Sequence, residues 1–221
     1  MKNILFLIPI ALILTVRLFN YLQELKVSKE SDEKMNQNRK NEIKKLLENR
    51  KVRTNNQIFD EDEFWEIVTE IRIKSKNSYK VFIDLFKDKL LNFDPNKLIE
   101  IDNLLMNFYQ KYLTKEIIGA SQIIFKSSDI NYTFLLMNYL ISKNQVVFKN
   151  TCINEELIDK LKIENLVFTT MNDIIGDCYY LSTRELIPKP DIENRSTKYP
   201  EKFYEEEDLP NVFPNLWMEY A

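Results

Sequence analysis

The sequence contains no histidine, only two glycines and only two cysteines. These absences exclude a Ser-His-Asp or Cys-His catalytic site, a histidine-ligated metal, a P-loop and a Rossmann dinucleotide turn. The residues that remain form no catalytic constellation, so we predict no cofactor and no metal site. An interaction protein is therefore favoured over an enzyme.

The two cysteines do not settle the compartment. Cys152 and Cys178 are far apart and form no CxxC motif. They are typical of two reduced, buried thiols in a cytosolic protein. A single disulfide stays open as the alternative if the protein is exported.

Charge is divided unevenly along the 221 residues. Residues 1–56 hold 12 Lys and Arg against 6 Asp and Glu, whereas residues 57–221 hold 19 against 28, a net charge of -9. A surface of that sign repels nucleic acid and attracts a basic protein. The alternative is that the acidity only keeps the domain soluble.

An apolar run at the N terminus indicates a membrane anchor or an export signal. It extends from Ile4 to Val16, is interrupted by Pro9 and is closed by Arg17. Extension to Leu22 gives a segment long enough to span a bilayer if the arginine side chain reaches the interface. Because no small-residue cleavage site follows, we predict an uncleaved anchor within residues 1–22, with a cleaved signal peptide as the alternative.

Positive charge follows the apolar run. The basic residues closest to it on this side are Arg17, Lys26, Lys29 and Lys34. The positive-inside rule then places the following domain in the cytoplasm. Residues 23–56 form a charged tether, helical in part, that either lies on an anionic leaflet or is solvated.

The folded domain is predicted to cover residues 57–221. Asp60 is placed to cap the first helix, with Glu63 completing a capping box and Phe59 and Phe64 forming a hydrophobic staple. Asp94 followed by Pro95 marks another helix start.

Apolar residues recur at three- and four-residue steps through most of this domain, and no alternating strand pattern competes. Further helices are predicted through Tyr79 to Leu90, Leu98 to Tyr112, Ile117 to Ile124, Phe134 to Ile141 (capped by Ser128 or Asp129), Leu157 to Leu161 (capped by Asn154) and Val167 to Leu181. We predict an all-α domain of six to eight helices. We interpret Gly119 and Gly176 as sites where helices cross closely.

The C-terminal segment beyond Leu186 differs in composition. It contains five of the seven prolines, namely Pro188, Pro190, Pro200, Pro210 and Pro214. We expect it to be irregular because proline interrupts regular structure. Its apolar residues indicate that it packs back onto the helices.

Four stretches carry a resemblance to a known family: Phe64-Trp65, Ile118-Gly119-Ala120-Ser121, Tyr179-Tyr180-Leu181, and the segment from Leu209 to Trp217. Together they resemble bacterial proteins of the domain of unknown function 4240 family, over residues of about 60 to 217. The resemblance implies a helical domain without an established activity. Some relatives resemble components of bacterial toxin and immunity systems.

The candidate site is an acidic run flanked by aromatic residues. We predict that it docks a basic partner, with charge for steering and aromatic rings for contact. Its residues are Tyr204, Glu205, Glu206, Glu207, Asp208 and Trp217. The alternative is a solubilising loop. A second candidate is Asp173 with Asp177, which lie four apart on a predicted helix and could hold a divalent ion or a basic group.

Three functions follow as hypotheses. The first is a membrane-tethered helical interaction module, of the immunity type, that binds a basic partner such as a nuclease toxin. The second is an enzyme that uses carboxylates, with a divalent ion at Asp173 and Asp177. The third is a structural membrane component.

Overall fold

The computed structural model describes residues 47–52, 56–163, 167–189 and 203–220, together with residues 37, 40, 41, 44 and 45. The chain divides into two compact units, residues 1–49 and residues 50–221. The predicted anchor at residues 1–22 lies outside the described residues, and so do Pro190 and Pro200. Within the described ranges, no helix is long and apolar enough to cross a bilayer. The described tether residues 44, 45, 47 and 48 are helical.

The described part of the second unit is α-helical, which confirms the predicted fold class. Its helices are α1 (Glu61–Lys74), α2 (Tyr79–Leu90), α3 (Pro95–Tyr112), α4 (Lys115–Phe125), α5 (Ile130–Lys143), α6 (Gln145–Thr151), α7 (Glu155–Asp159), α8 (Met171–Thr183), α9 (Leu209–Val212) and α10 (Pro214–Tyr220). A short 3-10 turn, Glu206–Asp208, precedes α9.

Side chains cap the starts of the helices, and the caps at Asp60, Asp94, Asp129 and Asn154 are ones that the sequence predicts. Asp60 accepts a hydrogen bond from the Glu63 amide at 2.8 Å, and Asp94 accepts one from the Asn96 amide at 2.9 Å. Other helix starts are capped by Ser78, Thr114, Asp129, Asn144, Asn154 and Thr170. Each cap satisfies an amide that the first helical turn leaves without a partner.

The core lies around α3, which packs against α8, while α4 packs against α5. Trp65 is buried and stacks on Phe108, with ring centroids 5.4 Å apart, and Phe148 lies 5.6 Å from Phe108. This aromatic cluster joins α1, α3 and α6. It explains why the first helix buries its Phe64-Trp65 pair.

The last long helix is shorter than predicted. It begins at Met171 because Thr170 and Asp173 form a reciprocal capping box, so Val167 precedes it. Leu181 is within the helix but is 48% exposed. The sequence also did not predict α6, a helix of 7 residues that is too short to show a clear apolar period.

The prediction that the segment beyond Leu186 is irregular is wrong for residues 209–220. Pro210 and Pro214 fall in the first turns of α9 and α10, where the missing amide proton is not needed. The predicted packing is confirmed, because Leu209, Phe213 and Leu216 are buried and α10 contacts α4 and α7.

Gly119 confirms the predicted close crossing, since a Cβ atom there would lie 3.1 Å from side-chain atoms of Leu209, Phe213 and Tyr204. Gly176 does not, because a Cβ atom there would meet nothing within 4 Å.

The compact unit begins at Arg50, ahead of the predicted start at residue 57. Arg50 Nε donates to the Ile187 carbonyl at 2.6 Å, and the Lys189 amide donates to the Lys51 carbonyl at 2.9 Å. An isolated parallel bridge joins Val52 to Lys189. Residues 50–52 are therefore held by residues 187–189, which follow α8.

Candidate functional site

Four of the six predicted partner-binding residues lie together, while Glu207 and Asp208 do not line the same cleft. Tyr204, Glu205, Glu206 and Trp217 line a single open cleft of about 750 Å³. The opposite wall comes from the end of α4 and the loop that follows it, with Gln122, Ile123, Lys126, Ser127 and Ser128. We call this the C-terminal cleft.

Tyr204 is fixed by contacts on both faces. Its ring packs edge-on against Phe213 with centroids 5.7 Å apart, and its hydroxyl donates to Glu155 at 3.0 Å. The Lys115 ammonium lies 4.7 Å from the ring centroid. Burial raises the pKa of the Tyr204 hydroxyl and, together with the bond to Glu155, outweighs the hydrogen bond from Lys115, which lowers it. The hydroxyl therefore stays neutral and serves as a donor.

All four residues of the acidic run Glu205–Asp208 are exposed. None of its four carboxylates forms an ion pair with another residue of the described ranges, whereas many other surface carboxylates do. Glu70, for example, lies 2.5 Å from Lys74, and Glu61 lies 2.6 Å from Lys149. The run thus presents uncompensated negative charge at the edge of the C-terminal cleft.

Trp217 and Leu209 give this cleft an apolar floor. Leu209 is buried, while the indole of Trp217 is half-buried and packs against the core. A half-buried aromatic ring beside charged residues is the composition that protein interfaces favour.

In the alternative acidic pair, Asp173 and Asp177, the first residue has a structural role. Asp173 Oδ2 accepts hydrogen bonds from the Thr170 amide at 2.9 Å and from the Thr170 hydroxyl at 2.7 Å, so it stabilises the start of α8. Asp177 is exposed one turn later. Among the described residues, no group of three or more His, Cys, Asp or Glu side chains could hold a metal.

A buried polar network joins α3, α5 and α8, and sequence reasoning missed it. Asn138 Nδ2 donates to the Tyr109 hydroxyl at 2.7 Å, and Asn138 Oδ1 accepts from the Met171 amide at 3.0 Å. Tyr109 donates to Asn172, whose amide nitrogen donates to Asp102 at 2.6 Å. Burial raises the pKa of the Tyr109 hydroxyl, which keeps it protonated as a donor.

This network opens at one end into a second cleft of about 620 Å³, which we call the α8 cleft. Asp102, Tyr109 and Asn172 form part of its lining, with Tyr132 and Phe168 on its wall. The only signal in the sequence is that polar residues interrupt apolar helix faces at positions such as Asn138. That signal does not indicate which residues, distant in the sequence, form hydrogen bonds with one another in the fold.

Both cysteines are free and buried. Burial raises the pKa of the Cys152 thiol to about 12 and also raises the pKa of the Cys178 thiol. This agrees with the interpretation of two reduced thiols that pack as small apolar side chains.

Comparison with known proteins gives one match. The model of the family described as a protein of unknown function, DUF4240, matches residues 59–181, more than half of the chain. The matched residues include all of α1 to α7 and most of α8, while the Leu209 to Trp217 stretch lies beyond them. No curated protein and no solved structure matches the chain significantly. The chain therefore belongs to the DUF4240 family of proteins of unknown function.

Proposed function

We propose that this protein is a membrane-tethered helical interaction module that binds a basic protein through its C-terminal cleft. The observation that carries the proposal is the acidic run Glu205–Asp208. Its carboxylates are consecutive, exposed and without an ion pair among the described residues, and they border a cleft that contains Tyr204 and Trp217.

Charge supports a basic partner. The net charge of residues 57–221 is -9, and the acidic run concentrates part of it beside the cleft. Such a field accelerates the encounter with a positively charged protein and disfavours nucleic acid. Rim charges act mainly on the association rate.

The cleft supplies the short-range part of the interaction. Tyr204 is held in place by Phe213 and Glu155, so little entropy is lost when a partner covers its edge. Trp217 adds apolar surface in the same cleft, where it lies beside the buried Ile123 and Leu209. Preorganised aromatic and apolar groups of this kind carry much of the free energy of binding in protein interfaces.

The proposed location follows from the sequence. The apolar run from Ile4 to Val16 would anchor the chain, and the basic residues after it favour a cytoplasmic domain. We propose a partner of the toxin class, such as a nuclease, because a nuclease surface that binds phosphate is complementary to a concentrated acidic surface. The protein would then act as an immunity protein that occupies this surface.

The test is site-specific photo-crosslinking in intact cells of the native host. A photoreactive phenylalanine analogue replaces Glu207 in the full chain, and a control carries it at Asp84, which is also exposed and lies on α2. We expect the Glu207 position, and not the Asp84 position, to capture one basic protein, encoded near this gene. Capture of an acidic protein only, or equal capture at both positions, would contradict the proposal.

A further inference from the structure

The α8 cleft is a second site with a different composition. It lies between α3, α5 and the N-terminal end of α8, away from the acidic run. Buried polar groups form part of its lining, and aromatic rings form part of its wall. A concave site that combines apolar walls with a few convergent polar groups is the usual form of a ligand site.

Two aromatic side chains, Phe168 and Tyr132, line this cleft, and we call them the aromatic corner. Phe168 is 72% exposed, although phenylalanine is normally buried. Its ring lies 6.3 Å from that of Tyr132, at an interplanar angle of 81°. Tyr132 in turn stacks on Phe125 with centroids 4.9 Å apart. Tyr132 therefore packs against both Phe125 and Phe168, and most of the Phe168 ring is left exposed at the cleft.

The lining is acidic in balance. Among the described residues, it contains three carboxylates, of Asp102, Asp129 and Asp173, against one guanidinium, of Arg50. Asp129 and Asp173 are exposed, and one carboxylate oxygen of each accepts hydrogen bonds at a helix start, from the Asn131 amide in the first case and from Thr170 in the second. The second carboxylate oxygen of each residue has no hydrogen-bond partner among the described residues. Two carboxylate oxygens thus remain available beside the aromatic corner.

We propose that the α8 cleft binds an organic cation, that is, an ammonium or guanidinium group carried on an apolar stem. The carboxylates of Asp129 and Asp173 would pair with the charge, while the Phe168 and Tyr132 rings would contact both the cation and its stem. An anionic ligand is disfavoured by the same carboxylates. Apart from Arg50 and Ile187, the lining lies within the residues that match the family, so this inference does not rest on the proposed function.

The cation has two possible sources with the same chemistry. It can be a free small molecule, or it can be a lysine or arginine side chain of a protein. The two are distinguished by comparing agmatine with a blocked tripeptide, acetyl-Gly-Arg-Gly-amide. Tighter binding of agmatine identifies a small-molecule site, and tighter binding of the peptide identifies a side-chain site.

The first experiment is isothermal titration calorimetry on the full chain, in detergent, with agmatine as the probe. Pentanamide, which is uncharged and of similar length, is the control. We expect agmatine to bind, to bind more weakly as salt is raised, and pentanamide not to bind. Equal binding of the two probes, or no heat with either agmatine or the peptide, would overturn the proposal.

Variants then locate the site. Phe168→Ala should weaken agmatine binding about two- to fivefold, as expected for one exposed cation–π contact. Asp129→Asn combined with Asp173→Asn should weaken it further and remove the salt dependence. At position 129 asparagine caps a helix about as well as aspartate, and at position 173 its amide oxygen can still accept from the Thr170 amide, so the fold is preserved. Asp84→Asn combined with Asp88→Asn on α2 is the control of equal charge change outside the cleft, and it should bind as the wild type does.

The melting temperature of each variant is measured alongside. It should stay close to that of the wild type, because Phe168 is exposed and the caps are retained. Wild-type affinity in both the Phe168 variant and the double aspartate variant would overturn the assignment of this cleft.

Discussion

Gly119 and Phe213 are in such close contact that a methyl group on the glycine would lie 3.1 Å from Cε2 of the aromatic ring. Leu209 and Tyr204 approach the same point at the same distance. The C-terminal segment therefore lies directly on the backbone of α4. This contact sets the position of Tyr204 and, through it, the shape of the C-terminal cleft.

The first prediction compares the two glycines. We expect Gly119→Ala to lower the free energy of unfolding by about 1 kcal/mol, because overpacking exceeds the gain in helix propensity. We expect Gly176→Ala to raise it by about 0.5–1 kcal/mol, because its added methyl group meets open space. Urea unfolding of both variants measures the difference. Two changes of the same sign would contradict the close packing at Gly119.

The second prediction concerns the buried amide of Asn138. Asn138→Ala should destabilise the domain by about 2–4 kcal/mol, because it leaves the Met171 amide and the Phe134 carbonyl without this partner and opens a small cavity. Asn92→Ala is the matched control, since Asn92 is exposed and donates to the Asp88 carbonyl at 2.9 Å. It should cost less than about 0.5 kcal/mol. Equal losses in urea unfolding would show that the network contributes little.

The third prediction is a pH dependence. Partial burial raises the pKa of the Glu61 carboxyl, but hydrogen bonds from Lys149, Trp65 and Gln145 outweigh it and hold the pKa below its ordinary value of 4.5. Because the folded state favours the ionised form, this contribution is present above the unfolded pKa and is lost as pH falls through the folded pKa.

The measurement is urea unfolding between about pH 6 and pH 3. Glu61→Gln should reduce the loss of stability on acidification, and Lys149→Gln, which removes the strongest donor, should do the same. The double variant should add little to either single one, since both act on one interaction. Wild-type pH dependence in Glu61→Gln would contradict this account.

The fourth prediction concerns the thiols. Cys152 and Cys178 are almost fully buried, and burial raises the pKa of each. We expect neither to react with Ellman's reagent at pH 8 in the native protein, and both to react after unfolding in denaturant. Rapid reaction of either thiol in the folded state would contradict their burial.

The sequence predicted elements whose signals are local. The start of α3 at Asp94 and Pro95 depends on capping chemistry, and its apolar face repeats regularly over 18 residues. In contrast, α9 and α10 could not be predicted because proline was interpreted as a breaker, whereas both prolines lie in first turns. Their stability comes from burial of Phe213 and Leu216, which is a tertiary effect.

Of the two candidate sites, one has a local signal in the sequence and the other has none. The acidic run is contiguous, so it could be recognised in the sequence, and the structure shows Tyr204 and Trp217 in one cleft with part of it. The α8 cleft is lined by Asp102 and Asn172, which belong to one hydrogen-bonded network with the buried Asn138, although the three residues lie far apart along the chain. No periodicity in the sequence links such residues, so this site could be recognised only from the folded structure.

The central claim is that the acidic run accelerates binding of a basic partner. The most direct test is the association rate of the crosslinked partner, measured by stopped flow with a variant that carries Glu205→Gln, Glu206→Gln, Glu207→Gln and Asp208→Asn. The control removes the same number of charges elsewhere, through Asp62→Asn, Glu66→Gln, Asp84→Asn and Asp88→Asn. At low salt, we expect the first variant to associate about tenfold more slowly than the wild type, and the control to change much less. At about 1 M salt, where the screening length is about 3 Å, the rates should converge. Equal rates for wild type and the first variant at low salt would contradict the claim.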